Sequence, residues 1–351
     1  MIKRLSKRVI ILKRKNKPTI KDIAKALNIS AAAVSKALHD DPRISKKTKE
    51  AVRRVAGEIN YQPNHLASAL RRGKSNLVGV MVPRTNSNFF SSVLEHMELV
   101  LSRSGYNTII TQSNESYTKE CRNIDALLYT QVDGIIASMA NETVDLSYYE
   151  KIKTKGIPLI LFDRGENDLN VDYIGINDYE SSHMIVRHLV SKGCGRIAHI
   201  GGYRRTRIFN NRIRGYIDAL KKHKLPLNKE LLVECNLSVE AGRLHMQSFL
   251  KLDQIPDAVY AASDNAALGA LQVLNEKGIN VPDEVKLIGF GNEPFTSLVS
   301  PNISSVDQHS EKIGRIAAET FLERVDDENW QPRLVKHILK SELTIRESSI
   351  R

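Results

Sequence analysis

The spacing of apolar residues changes partway along this chain. Between residues 19 and 60 apolar positions recur every three or four residues: Ile23, Ala24 and Leu27, then Val34, Ala37 and Leu38, then Val52, Val55 and Ile59. That period predicts three short amphipathic helices. Their ends are marked chemically. Thr19 with Asp22 has the T-x-x-D form of a capping box, Asn28-Ile29 makes a compact turn because Asn tolerates a left-handed backbone, and Ser30 caps the second helix. His39-Asp40-Asp41-Pro42 breaks that helix, and Ser45 opens a third running to about Asn60. Two short helices and a tight turn over Thr19 to Leu38 form the pattern of a helix-turn-helix, whose second helix enters the DNA major groove. An ordinary helical hairpin is the bland alternative.

Pro63 and Gly73 then bracket about two helical turns. A helix that short is unstable alone in water, so DNA or a second copy of the chain must order it. From residue 76 the pattern alternates apolar strands with amphipathic helices. Leu77 to Val82, Thr108 to Thr111, Gly134 to Ala137 and Leu159 to Phe162 read as buried parallel strands. A second series follows at Ile174 to Ile176, Ile197 to Ile200, Leu231 to Glu234, Ala258 to Ala262 and Val285 to Phe290. Two sets of β-α units imply two doubly wound lobes. Ligands in such sheets sit beyond the carboxyl ends of the strands, so the residues just after each strand are the places to look.

Charge sharpens this division. Residues 1–75 carry 20 Lys+Arg against 5 Asp+Glu, whereas residues 76–351 are slightly acidic, so the net +12 belongs to the N-terminal fifth. A basic headpiece on a near-neutral body is the footprint of a phosphate-backbone binder. The first seventeen residues hold eight Lys/Arg and no acid; they read either as a basic arm or as a start codon assigned too early. Val9 to Leu12 is too short for a signal segment and no stretch approaches a membrane span. Cys121, Cys194 and Cys235 are scattered and odd in number, which argues against disulfides or a zinc site and for a reducing cytoplasm. G-x-S-x-G and H-E-x-x-H are absent, and Gly73-Lys74-Ser75 lacks the earlier glycine of a phosphate loop, having Ser68 there. Neither an enzyme nor a bound cofactor is expected.

The chain resembles the lactose-repressor (LacI/GalR) family of bacterial transcription regulators. Thr19, Asp22, Ile23 and Ala24 carry the resemblance, with Ile29-Ser30, Val34-Ser35-Lys36, the Asn60-Tyr61-x-Pro63-Asn64 junction, Ala67, Leu70 and Asn76 to Val80. It implies an α + α/β protein: a basic extension over 1–17, a three-helix headpiece over 18–62, a hinge helix and linker over 63–75, and a two-lobed periplasmic-binding-protein-like α/β domain over 76–351, with crossovers near 163–175 and 292–308. The implied partners are a double-stranded operator, a small-molecule effector (a sugar or sugar acid) and a second copy of the chain. No membrane is implied. A periplasmic-type solute-binding protein is the alternative, although it would have no use for a basic headpiece.

The DNA-contacting set implied is Thr19, Ser30, Ala31, Ala32, Ala33, Ser35, Lys36, Asn64, His65, Ala67, Leu70 and Arg71. Ala31 and Ala32 offer only apolar contact, for instance to a thymine methyl. Lys36 is then the candidate for a polar base contact, with a phosphate contact as its alternative. Where relatives often carry Thr, Ala33 lacks a hydroxyl. Leu70 matches the leucine that wedges into a central minor-groove step, or packs hinge on hinge. The effector set implied is Phe89, Phe90, Asp163, Arg164, Arg212, Ser263, Asp264 and Asn292; for each, capping, loop solvation or an interlobe ion pair is the alternative. Gly289-Phe290-Gly291-Asn292 departs from the Gly-Phe-Asp-Asn of many relatives. The missing Asp is a sugar-hydroxyl partner in those relatives, which points toward an acidic ligand held by Arg212 and Arg164.

Overall fold

The structure, a computed structural model, describes residues 18–61, 74–327 and 335–350. The basic extension 1–17, most of the hinge, and with it Asn64, His65, Ala67, Leu70 and Arg71, lie outside the described residues. The chain divides into two compact units at Ser75/Asn76.

The first unit holds α1 (Ile20–Leu27), α2 (Ala31–Leu38) and α3 (Lys46–Glu58). Ile23, Ala24, Val34, Ala37, Val52, Val55 and Ala56 are its buried core, with Leu27, Leu38, Ile59 and Tyr61 packed around them. The end signals form as chemistry dictates. The Asp22 carboxylate accepts hydrogen bonds from the N–H and hydroxyl of Thr19, both at 2.7 Å. Asn28 closes α1 in the left-handed region at φ 52°. Ser30 Oγ accepts from the Ala33 N–H at 3.1 Å and Ser45 Oγ from the Thr48 N–H at 3.2 Å. A core this small is marginal, so caps worth about 1 kcal/mol each matter to it.

The second unit contains two six-stranded sheets. The first runs β2 (Asn107–Gln112), β1 (Leu77–Val82), β3 (Gly134–Ala137), β4 (Leu159–Phe162), β5 (Asp172–Ile176) and β11 (Lys336–Leu339), all parallel. The second runs β7 (Leu232–Glu234), β6 (Ile197–Gly201), β8 (Ala258–Ala261), β9 (Lys286–Phe290), β10 (Ser304–Asp307) and an antiparallel β12 (Glu342–Thr344). The two sheets therefore repeat one strand order. Central strands such as Gly134–Ala137 and Leu159–Phe162 are buried at every position, as parallel strands covered on both faces must be.

Helices cover both faces of each sheet. On the first, α4 (Asn88–Arg103) packs with α11 (Ser310–Val325), opposite α5 (Tyr117–Tyr129) and α6 (Ser147–Thr154). On the second, α9 (Val239–Phe249) packs with α10 (Asp264–Glu276), opposite α7 (Asp178–Ser191) and α8 (Arg207–Lys222). Gly215 lets α8 approach α7 closely: a Cβ there would fall 2.3 Å from the Tyr179 carbonyl oxygen.

Two expectations are corrected. The segment Ile174 to Ile176 opens no second series; as β5 it pairs with β4 in the first sheet. Among the described residues the chain also crosses between lobes three times: from β5 to α7, from β10 to α11, and from β11 to β12. The first crossing, at Asn177, lies just beyond the expected 163–175, and the second, at 308–309, overlaps the end of the expected 292–308. The third comes from two short strands that no apolar run announces.

Candidate DNA-recognition surface and ligand cleft

In the headpiece, Val34 and Ala37 fix the orientation of α2 by filling the core, which leaves Ala32 and Lys36 exposed. Ala31, Ala33 and Ser35 are half-buried at the edges of that face. Ser30 and Thr19 are exposed, but the Ser30 oxygen is engaged in capping α2 and the Thr19 hydroxyl donates to Asp22. Lys21, Lys25, Lys46, Lys47, Arg53 and Arg54 are also exposed. The outer surface of this unit thus carries cations around one sparsely functionalised helix face.

In the second unit, residues following the carboxyl ends of both sets of strands converge on a cleft of about 960 Å³, including its open mouth. Seven of the eight expected effector residues line it: Phe89, Phe90, Asp163, Arg164, Arg212, Ser263 and Asp264. Asn292 does not. Its backbone is left-handed at φ 53°, its amide donates to Asp307 Oδ2 at 3.2 Å, and its oxygen accepts from Arg346 at 2.7 Å. The turn at Gly291-Asn292 sends this side chain toward β10 and the C-terminal segment, and Glu293 lines the cleft instead.

Arg212 is the most enclosed cation of the cleft. Its Nε donates to Asp178 at 2.8 Å, Nη1 to the Ala262 carbonyl at 3.0 Å and Nη2 to Gln308 at 3.3 Å, while its plane lies 3.6 Å from the Phe290 ring centroid. Asp178 is the first residue of α7, just past the first crossing, and Gln308 lies in the second. One guanidinium therefore holds two interlobe connections. Burial raises the Asp178 carboxyl pKa against the opposing pull of Arg212.

Arg164 faces it from the first lobe. It donates to Glu115 at 2.6 Å, and its Nε lies 3.7 Å from Asp163 with no hydrogen-bond partner among the described residues. Burial pushes Glu115 up, but Arg164, the Asn141 N–H and Arg84 together hold it below the usual carboxylate range. Asp163, left-handed at φ 56°, is pushed up to about 6 by burial despite Arg164 and Arg212. Burial likewise lifts Asp264 to about 6, while its oxygens accept from the Ser305 hydroxyl at 2.6 Å and the Glu293 N–H at 2.8 Å. Ser263 caps α10 and donates to the Leu237 carbonyl at 3.0 Å. Asp264 and Ser263 thus also build the wall they line.

Sequence reasoning missed Arg84, Glu115, Tyr203, Phe209, Phe290, Glu293 and Gln308 among the lining residues. Glu115 and Tyr203 follow strands that were read, so the strand-end rule reaches them. Gln308 follows β10, which no apolar run announces. The lining sets three guanidiniums and four carboxylates among phenylalanine faces. Such a surface accepts and donates hydrogen bonds at many points and packs against C–H faces. Cys235 lies in the wall as a buried free thiol. Among the described residues no cluster of His, Cys, Asp and Glu could hold a metal ion, and no helix is long and apolar enough to cross a membrane.

A basic helix-turn-helix unit joined to a two-lobed unit with a polar cleft defines a DNA-binding regulator under small-molecule control. Residues 19–64 match the profile described as bacterial regulatory proteins, lacI family, and residues 186–349 that of a periplasmic binding protein-like domain. The chain is 31% identical over 337 residues to the "Probable HTH-type transcriptional repressor ExuR" of Bacillus subtilis, covering 94% of this chain and 98% of that one. It is 29% identical over 330 residues to the ribose operon repressor of Haemophilus influenzae, with the same coverage. Among solved structures it is similar to a transcriptional regulator CelR-cellobiose complex (25% identity, TM-score 0.71, 95% of this chain and 100% of that one). It also shares the fold of a lac repressor dimer bound to operator and the anti-inducer ONPF (20% identity, TM-score 0.83, 96% and 100%). The chain belongs to the lacI family of bacterial regulatory proteins. It is a transcriptional regulator rather than an enzyme, and the solute-binding alternative is not favoured.

Proposed function

We propose that this protein is a cytoplasmic repressor that binds a pseudopalindromic operator as a homodimer and is controlled by a hydroxyl-rich, sugar-like effector. Residues 18–62 serve as the DNA-binding headpiece, 63–75 as the hinge, 76–351 as the effector and dimerisation domain, and 1–17 as a basic arm. Two-fold protein symmetry calls for a two-fold site. Thr19, Ser30, Ala31, Ala32, Ala33 and Ser35 lie along the DNA-facing side, Lys36 reads a base, and Asn64, His65, Ala67 and Arg71 contact the backbone. Leu70 wedges into a minor-groove step, so Leu70→Ala weakens operator binding far more than binding to random DNA; equal losses on both would remove the wedge.

One observation carries the effector class: Arg164 and Arg212 each bear a carboxylate partner already, and the cleft lining balances cations with acids. A neutral polyol exchanges hydrogen bonds with both signs of charge. An anion has to compete with four carboxylates. The acidic ligand suggested by Gly291 is therefore set aside, because Asp264 and Glu293 supply carboxylates beside that glycine. Phe89, Phe90, Asp163, Arg164 and Arg212 contact the ligand, with Ser263 and Asp264 behind them. Ligand binding shifts the equilibrium between lobe arrangements, and with it the DNA affinity. The test is operator selection from random DNA, with and without a panel of sugars and sugar acids. Tight binding of uronic acids but of no neutral sugar would overturn the effector class.

A further inference from the structure

Thr206 is the N-cap residue of α8, yet its side chain makes no capping bond with that helix. A threonine in this place ordinarily accepts a hydrogen bond from an N–H of the first turn. Here the hydroxyl crosses to the other lobe and donates to Asn141 Oδ1 at 2.9 Å. Asn141 lies in the loop that follows β3 of the first sheet, and it lines the cleft. Its N–H donates in turn to Glu115 Oε2 at 3.0 Å, the oxygen that also accepts from Arg164 at 2.6 Å. One asparagine therefore joins the Glu115–Arg164 pair of the first lobe to the start of α8, the helix that carries Arg212.

The loop is held from beneath. Glu120 on α5 is fully buried and does not line the cleft. Its Oε1 accepts from the Ala140 N–H and from the Tyr149 hydroxyl, both at 2.8 Å, and its Oε2 accepts from the Thr143 hydroxyl. Burying a carboxylate costs far more than burying an apolar side chain unless donors satisfy it. An apolar residue would fill the same space. Only an acceptor can hold Ala140 and Thr143, and between them Asn141, in place.

We propose that Asn141 and Thr206 form a closure latch of the cleft, with Glu120 as the positioning residue that holds Asn141 ready for it. The latch governs how readily the lobes part, through a bond made by none of the residues expected to touch the effector. Its bearing on regulation rests on the reading of the cleft as the effector site. A ligand that bridges both lobes works with the latch, and one that props them apart must break it. Because the bond runs between the lobes and not within either, its loss opens the cleft without loosening a lobe core.

The experiment uses the full chain and the Cys235 thiol, which lines the cleft and is 7% exposed, as an opening probe that needs no effector. Alkylation by iodoacetamide is timed at each cysteine by peptide mass spectrometry. Cys194, buried in the second lobe and not part of the cleft lining, reports general loosening. Thr206→Val and Asn141→Leu should each speed Cys235 alkylation about fivefold, the worth of one net intramolecular hydrogen bond, with Cys194 unchanged. The double variant should be no faster than the faster single one, because both break the same bond. Glu120→Leu should match them. Glu120→Gln, whose amide oxygen still accepts from Ala140 and Tyr149, should label like wild type, which separates positioning from filling of the core. Should Glu120→Leu fail to fold, Thr143→Val/Tyr149→Phe removes two of the three donors and makes the same comparison. Equal Cys235 rates in wild type and Thr206→Val overturn the proposal, as do additive effects in the double variant, wild-type labelling in Glu120→Leu, or a parallel rise at Cys194. Calorimetry with D-galactose and D-galacturonate keeps the two readings apart. Faster Cys235 alkylation with neither sugar bound by any variant tells against the sugar reading and leaves the latch standing. A bound sugar that fails to slow Cys235 labelling would detach the latch from effector control and overturn it.

Discussion

Replacing Arg212 by Met removes the central cation of the cleft while retaining an apolar stem over Phe290. The Arg212 and Asp178 side chains are 5% and 4% exposed and meet at 2.8 Å. Removing one partner of such a pair strands the other, at a cost of about 3–5 kcal/mol. The Ala262 carbonyl loses its guanidinium donor as well, and an unsatisfied buried acceptor costs about 1–3 kcal/mol. Partial relief through protonation of Asp178 and local relaxation brings the expected total to roughly 4 kcal/mol. Asp178→Asn in the same chain neutralises the stranded group, so Arg212→Met/Asp178→Asn should recover at least about 2 kcal/mol of that loss, a coupling expected of residues in direct contact. Urea unfolding followed by far-UV circular dichroism reads these differences in the large transition. Effector affinity, read by calorimetry, should fall about 100-fold or more in both variants, because charge-assisted bonds worth about 1.5–3 kcal/mol each are lost in both. A cost below about 1 kcal/mol for Arg212→Met, or no recovery with Asp178→Asn, would refute the ion-pair argument. Recovery of effector binding in the double variant would show that Arg212 acts through the fold and not by contact.

Three further outcomes are expected. The folded pKa of Asp163, about 6, lies above its unfolded value of 3.8; its contribution is therefore fully present below pH 3.8 and is lost as pH rises through 6, a change of about 3 kcal/mol. Asp163→Asn should thus gain on wild type in thermal stability between pH 4 and pH 7, and a pH-independent difference would contradict the burial argument. Lys36→Ala should relax preference at one base position of a selected operator, whereas an unchanged base profile with a shallower salt dependence would assign Lys36 to phosphate. Ser30→Ala removes the bond to the Ala33 N–H and should cost the headpiece about 1 kcal/mol, seen as an earlier headpiece transition in heating scans; an unmoved transition would mean that the cap adds nothing to so small a core.

How much of this was legible depended on where the apolar signal was local. β1, β3 and β4 have the expected limits because Leu77–Val82, Gly134–Ala137 and Leu159–Phe162 are continuous apolar runs, buried almost throughout. β10 reads Ser-Ser-Val-Asp, yet Ser304 and Ser305 are fully buried, their hydroxyls donating to the Arg346 carbonyl and to Asp264. Hydrogen bonding satisfies them where apolarity was the only cue. β5 was placed in the wrong lobe because its partner, β4, is set by parallel pairing that periodicity does not encode. Asn292 was misplaced because its left-handed backbone reverses the direction of its side chain. Glu293 belongs to no motif, and its place in the cleft lining exists only in three dimensions.

The return of the chain to its first sheet has a consequence for biosynthesis. Phe321 on α11 is fully buried beside Tyr106, and a Cβ on Gly134 would fall 2.4 Å from its ring. The first lobe therefore has a gap in its core, and lacks its β11 edge, until more than 130 further residues have been made after β5. At about 5–20 residues per second, that is a delay of roughly 7–27 s. During that interval the emerging headpiece is already complete, while the lobes that govern it are not. A ribosome-bound chain could thus engage DNA before it can sense its ligand, and the two lobes, each finished by the other's sequence neighbours, should reach their native state together.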